Sequence, residues 1–127
     1  MKSMRTPLGR VHGLGSAKAG TQDFWHQRLT AIANIPLVIA GVVIVVSLIG
    51  RNHAAAAQIL GSPVIAILLL LFILSVTYHM RIGMQVIIED YVHEEKSKLA
   101  LIVLNTFYTV AIALASVFAI LKLSLGV

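Results

Sequence analysis

The 127-residue chain contains no cysteine, which excludes disulfides, iron–sulfur clusters and thiolate zinc sites built from its own residues. It is also poor in charge. Only 12% of its residues are Asp, Glu, Lys or Arg, against roughly 25% in soluble domains. No internal repeat is present, and the one low-complexity tract is Ala54–Ala57. What remains is 58% hydrophobic, enough for a few membrane spans and little else. With thiols absent, histidine is left as the leading metal ligand. The net charge of +5 comes mostly from one end, as charge-asymmetry rules require of a membrane protein, and no nucleic-acid partner is expected.

Three apolar stretches define the expected fold, an all-α membrane protein with three transmembrane helices. The first runs over 29–49, about the ~20 residues that a bilayer requires, with Pro36 in its first two turns and Gly41 near its middle. Residues 50–62 are small and polar and read as a loop, with room for one interfacial helical turn. Pro63 suits the first turn of a second helix, over 63–88, and a third spans 99–121. Residues 1–28 form an N-terminal segment ahead of this 29–127 anchor. A cleaved signal peptide is disfavoured, because the first apolar run is about twice the usual 7–15 residues and 28 residues precede it. The glycine content and brevity of the basic N-terminus likewise argue against a transit peptide.

Lysine and arginine set the expected orientation. The N-terminal segment carries Lys2, Arg5, Arg10, Lys18 and Arg28; the first loop has only Arg51, the second Lys96 and Lys98, and the C-terminus Lys122. Positive charge marks the cytoplasmic side, or the matrix side in a mitochondrion. The N-terminus and the loop after Asp90 are therefore expected inside, and the first loop and C-terminus outside.

Within the second span, His79 stands about 13 Å below the inner interface. An imidazole at that depth finds no hydrogen-bonding partner in lipid, so it faces a neighbouring helix, a cavity or a metal. Two readings stay open on the residues alone: a histidine bonded to a hydroxyl of an adjacent helix, or an axial haem ligand. A six-coordinate haem would take its second ligand from another polypeptide, because His12, His26, His53 and His93 all fall in loops or at interfaces. Asp90 lies eleven positions on from His79, roughly 20° off its direction and about 16 Å along the axis. Gly83, at i+4, leaves that stripe bare for one turn, so a flat group can lie against it. A ligand, a gap and an acid–phenol pair (Asp90-Tyr91) at the rim point to two stacked sites, one for a cofactor and one for a polar-headed substrate. The alternative for Asp90 and Tyr91 is an ordinary helix end beside a solvated charged loop. Arg81, about 160° round from His79, snorkels toward the inner headgroups, contacts another subunit, or pairs with an acid or a cofactor.

The segment from His79 to His93 (HMRIGMQVIIEDYVH) resembles the second-helix signature of the smaller hydrophobic membrane anchor of succinate dehydrogenase, complex II. In that family a histidine, a glycine four residues on and an Asp-Tyr at the helix end recur at this spacing. Phe24-Trp25 followed by Arg28, Thr30 and Ala31 is similar to the Arg-x-Thr-Ala start of the family's first helix. Some members carry a His-Asp pair before that helix where this chain has Gln22-Asp23, so the resemblance carries no cofactor contact over to position 22.

The resemblance implies a helical bundle shared with a second anchor (cytochrome b) subunit, with haem b ligated by His79 and by a histidine of that partner, and Gly83 beside the macrocycle. Tyr91, with Asp90, is implied in the ubiquinone site. There quinone is reduced to quinol with electrons from the iron–sulfur subunit of the respiratory chain, which a flavoprotein subunit feeds from the tricarboxylic acid cycle. Arg28 would hold a haem propionate by a charge-assisted pair, or simply anchor the helix by the positive-inside rule. Lacking a flavin fingerprint and cluster cysteines, the chain is not expected to oxidise succinate by itself. The setting implied is a lipid membrane, the bacterial inner membrane ahead of the mitochondrial one, with N-terminus cytoplasmic and C-terminus periplasmic. The anchor of a quinol:fumarate reductase is the alternative within the class, and a small non-haem membrane accessory protein the alternative outside it.

Overall fold

Helix begins well before the lipid-facing apolar run does. In the computed structural model, which describes residues 4–13 and 20–126, a first short helix, α1 (Pro7–Val11), starts from Thr6, whose hydroxyl accepts the Gly9 N–H at 3.1 Å. The second, α2 (Gly20–Ser47), passes straight through the boundary drawn at 28/29. Hydropathy reports where lipid begins and does not report where hydrogen bonding does. Residues 20–28 contain no breaker after Gly20, so the helix propagates back through them and carries Phe24, Gln27 and Arg28 on its own surface. Lys2 and Lys18, two of the cations that set the expected orientation, lie outside the described residues.

A tight reversal follows α2. Leu48 and Ile49 donate to the carbonyls of Val45 and Val46 at 3.1 and 3.2 Å, and Gly50, at φ +75°, turns the chain in a conformation that costs a glycine little. Where one interfacial turn was expected, α3 (His53–Leu60) forms two turns. Asn52 caps it by accepting from the Ala55 N–H at 2.9 Å, and the run of alanines is the best helix former available. Next come α4 (Pro63–Tyr91) and α5 (Glu95–Leu125), both running past their apolar windows. At the corner between α3 and α4, a Cβ on Gly61 would lie 2.7 Å from the Leu123 carbonyl oxygen, so only glycine lets this corner seat on the end of α5.

Three helices, α2, α4 and α5, are long and apolar enough to cross a membrane. They form a row with α4 in the middle, packed on α2 along one side and on α5 along the other; among the described residues α2 and α5 do not meet. Burial follows that order. Ala66, Thr77, Ile82 and Ile88 of α4 are buried, whereas α2 buries only Ile44 and α5 only Thr109. Large apolar side chains such as Ile35, Val43, Leu104, Phe107 and Phe118 stand more than 60% exposed. Such a layer is stable in lipid, where exposed leucine and valine carry no penalty and helices are joined by close packing and polar bonds instead. Gly41 against the Phe72 ring and the Asn105 side-chain amide donating to the Arg81 carbonyl at 3.0 Å are two of those joints.

Candidate functional site

A polar seam runs down the α2–α4 interface. On α2, Gln27, Thr30 and Asn34 fall on one face by their spacing of three and four. On antiparallel α4, Ser75 and His79 fall opposite them. Ser75 donates to the Asn34 side-chain oxygen at 2.7 Å. The His79 Nδ1 lies 2.9 Å from the Thr30 hydroxyl and 3.2 Å from the Gln27 backbone carbonyl. At the outer side of the same seam, the Tyr78 hydroxyl meets His26 Nδ1 at 3.0 Å, with the two rings edge to face at 5.7 Å. No buried polar side-chain atom among the described residues is left without a partner.

His79 does more than close this seam. Together with Phe24, Gln27, Arg28 and Ala31 it lines a half-open recess of about 330 Å³. The four α2 residues recur at i, i+3, i+4 and i+7, one continuous face. Arg28 stacks its guanidinium over the Phe24 ring at 4.1 Å, which holds a positive charge at the wall. Among the described residues the Nε2 of His79 makes no hydrogen bond. An imidazole and a guanidinium therefore share one recess, and no Asp or Glu of this chain lies within its apolar stretches.

Toward the N-terminal end of α2 the groove continues into a second, smaller recess of about 240 Å³, lined on α2 by Gly20 and Asp23 and on α4 by Ile82, Gln85, Val86 and Glu89, with Phe24 and Gln27 shared by both. Gln85 donates to Glu89 at 2.8 Å along the helix. Gly83 turns its bare side to Gln27: a Cβ there would sit 3.9 Å from the amide nitrogen. Asp90 and Tyr91 occupy the last turn of α4, both exposed, Tyr91 at 77%, and they line neither recess. Arg81 faces the opposite way. Its Nε lies 3.5 Å from the Thr106 hydroxyl on α5, on the side of α4 away from His79.

The structure thus brings His79 and Arg28 together and leaves Asp90 and Tyr91 apart from them at the helix end. Gln27 and Thr30, the partners of His79, were not singled out from sequence as contacts. Their signal was the polar spacing 27, 30, 34 in α2, which only gains meaning once α2 is known to pack antiparallel on α4. No three His, Asp or Glu side chains converge among the described residues to hold a metal ion unaided. A single imidazole beside a guanidinium would suit a metal already held in a planar, acid-bearing macrocycle, to which the chain would offer one nitrogen ligand and one cation.

Comparison with known proteins places the chain in a family. Residues 2–113 match the model of the succinate dehydrogenase/fumarate reductase transmembrane subunit family. The chain is 30% identical to the succinate dehydrogenase hydrophobic membrane anchor subunit of Paracoccus denitrificans over 95% of its length and 93% of that protein's. It is 30% identical to the subunit of the same description from Rickettsia bellii, over 91% and 93%. A similarity of 31% to the succinate dehydrogenase membrane anchor subunit of Reclinomonas americana covers 68% of this chain and 75% of that one. No solved structure matches.

Proposed function

The chain belongs to the succinate dehydrogenase/fumarate reductase transmembrane subunit family, and we propose that, as the hydrophobic membrane anchor of a succinate:quinone oxidoreductase, it contributes one axial ligand of haem b and part of a ubiquinone-reduction site. The observation that carries this reading is the shared recess, which His79 of α4 and Arg28 of α2 line together. His79 would ligate the iron, Arg28 would pair with a propionate, and a second anchor (cytochrome b) subunit would bring the opposing ligand. When bound, haem b supplies a one-electron redox centre within the membrane.

Quinone chemistry belongs to the inner end of α4. The Tyr91 hydroxyl donates to a quinone carbonyl and favours the negative charge that builds there on reduction, and Asp90 orients the phenol or relays protons. Reduction of quinone to quinol consumes two electrons, from the iron–sulfur subunit, and two protons, from the aqueous side. A position at the water-facing end of a helix, beside the soluble subunits, suits both supplies. The flavoprotein subunit oxidises succinate; the anchor has no activity alone. Three apolar helices make the chain an integral membrane protein. In a bacterial inner membrane, the lysine and arginine bias supports a cytoplasmic N-terminus and a periplasmic C-terminus.

A reduced-minus-oxidised absorption spectrum of the purified complex tests the haem assignment. A b-type band should be present, and His79→Leu should shift the spectrum or lower haem content. Absence of the band in the wild type would favour a non-haem accessory role, and a His79→Leu complex identical to wild type in spectrum, midpoint potential and haem content would remove His79 as ligand.

A further inference from the structure

Two oxygens converge on one nitrogen of His79, and their proton inventory points to one tautomer. The Gln27 carbonyl, 3.2 Å from Nδ1, can only accept. Thr30 has a single hydroxyl hydrogen, and its own helix offers two carbonyls for it, His26 at 2.8 Å and Gln27 at 3.1 Å. With that hydrogen given to the His26 carbonyl, Thr30 turns a lone pair toward Nδ1, 2.9 Å away. Both contacts are satisfied only if Nδ1 carries the proton. Nε2 then carries the lone pair, and it is the nitrogen with no hydrogen bond among the described residues.

We infer that Thr30 is a positioning residue for the haem ligand: it fixes His79 as the Nδ1–H tautomer, sets the plane of the imidazole, and tunes the ligand's donor strength. The inference rests on ligation of haem by His79 and deepens it. A hydrogen bond accepted from Nδ1–H raises the basicity of the ligating nitrogen, which favours the oxidised iron and lowers its potential. The oxygen of Thr30 is the nearer of the two acceptors and the only one in a side chain, so it is the one that substitution can remove. Thr30 also suits its place in α2. A threonine whose hydroxyl bonds back to the carbonyl four residues earlier keeps its χ1 fixed, and so holds its oxygen still for His79.

The test uses the whole membrane complex with Thr30→Val, which keeps shape and removes the acceptor, and Thr30→Ser, which keeps the acceptor and removes a methyl group. Thr30→Ala replaces the valine variant if that complex fails to assemble. Redox titration of the haem should show a more positive midpoint potential in Thr30→Val, together with altered g values of the oxidised low-spin haem, which report the orientation of the axial ring. Thr30→Ser should restore both toward wild type. Potential and g values unchanged in Thr30→Val, or changed as much in Thr30→Ser, would overturn the inference. His79→Leu run in parallel separates the two levels: if it changes the haem while Thr30→Val does not, the positioning role alone falls, and if it too leaves the haem unchanged, ligation falls and the positioning role with it.

Discussion

Ser75 of α4 donates its hydroxyl to the side-chain oxygen of Asn34 of α2 at 2.7 Å, one helical turn beyond the bond between His79 and Thr30. The pair fixes the register of the two helices at the level where lipid provides no competing partner. Interhelical bonds of this kind contribute on average about 0.6 kcal/mol and reach about 1.7 kcal/mol. Ser75→Ala should therefore destabilise the α2–α4 pairing by an amount in that range, read as an earlier midpoint in detergent-driven dissociation of the complex. Asn34→Ala should cost about as much, and the double substitution less than the sum of the two, because both remove the same bond. Strict additivity would mean that the pair does not interact in the assembled protein.

Gly83 tests how much room the groove needs. A Cβ at this position makes ordinary contact with Gln27, at 3.9 Å, so Gly83→Ala should leave assembly and the haem spectrum close to wild type. Gly83→Leu must push Gln27 aside, and Gln27 lines the recess beside His79. Overpacking of that order costs typically 1–3 kcal/mol and should shift the haem spectrum or reduce haem content. An unaltered spectrum in Gly83→Leu would show that the stripe below His79 tolerates bulk.

Tyr91→Phe removes one donor and almost no volume. If its hydroxyl bonds a quinone carbonyl in a water-poor site, the loss should be about 1.5–3 kcal/mol, or roughly ten- to a hundredfold in quinone reduction. Succinate oxidation with an artificial acceptor should stay normal, since on the proposed reading that step does not use this chain. Haem should be retained, because Tyr91 is about 18 Å along the axis from His79. Asp90→Asn should also slow quinone reduction. Wild-type rates in both assays would reduce Tyr91 to an interfacial anchor, the role to which its exposure alone would assign it.

Orientation is checked with reporters. A reporter active only in the periplasm should work when fused at Ala56, within α3, or after Val127, and fail when fused near Glu95 at the start of α5. Activity at Glu95 would invert the protein and carry Asp90 and Tyr91 to the side opposite the soluble subunits.

Much of this architecture was legible along the chain. Transfer of apolar side chains into lipid is close to additive over some twenty residues, so hydropathy along the chain determined the number of candidate spans and their helical character. The family likeness carried by the His-Gly-Asp-Tyr spacing belongs to the same level. Helix ends did not, because hydrogen bonding in α2 continues nine residues ahead of the apolar run and delivers Phe24, Gln27 and Arg28 to the site. Hydropathy likewise says nothing of which helix lies between the other two. That order came from pairing: α4 sits in the middle, so His79 turns to α2 while Arg81, two residues on, turns to α5. Periodicity predicted their opposite directions, but only the antiparallel docking of α2 on α4 decided that Thr30 and the Gln27 carbonyl would meet one nitrogen of His79 and leave the other clear. Partners 49 and 52 residues apart are set by which surfaces meet, and that depends on the complementary shapes and hydrogen-bonding groups of both helices together.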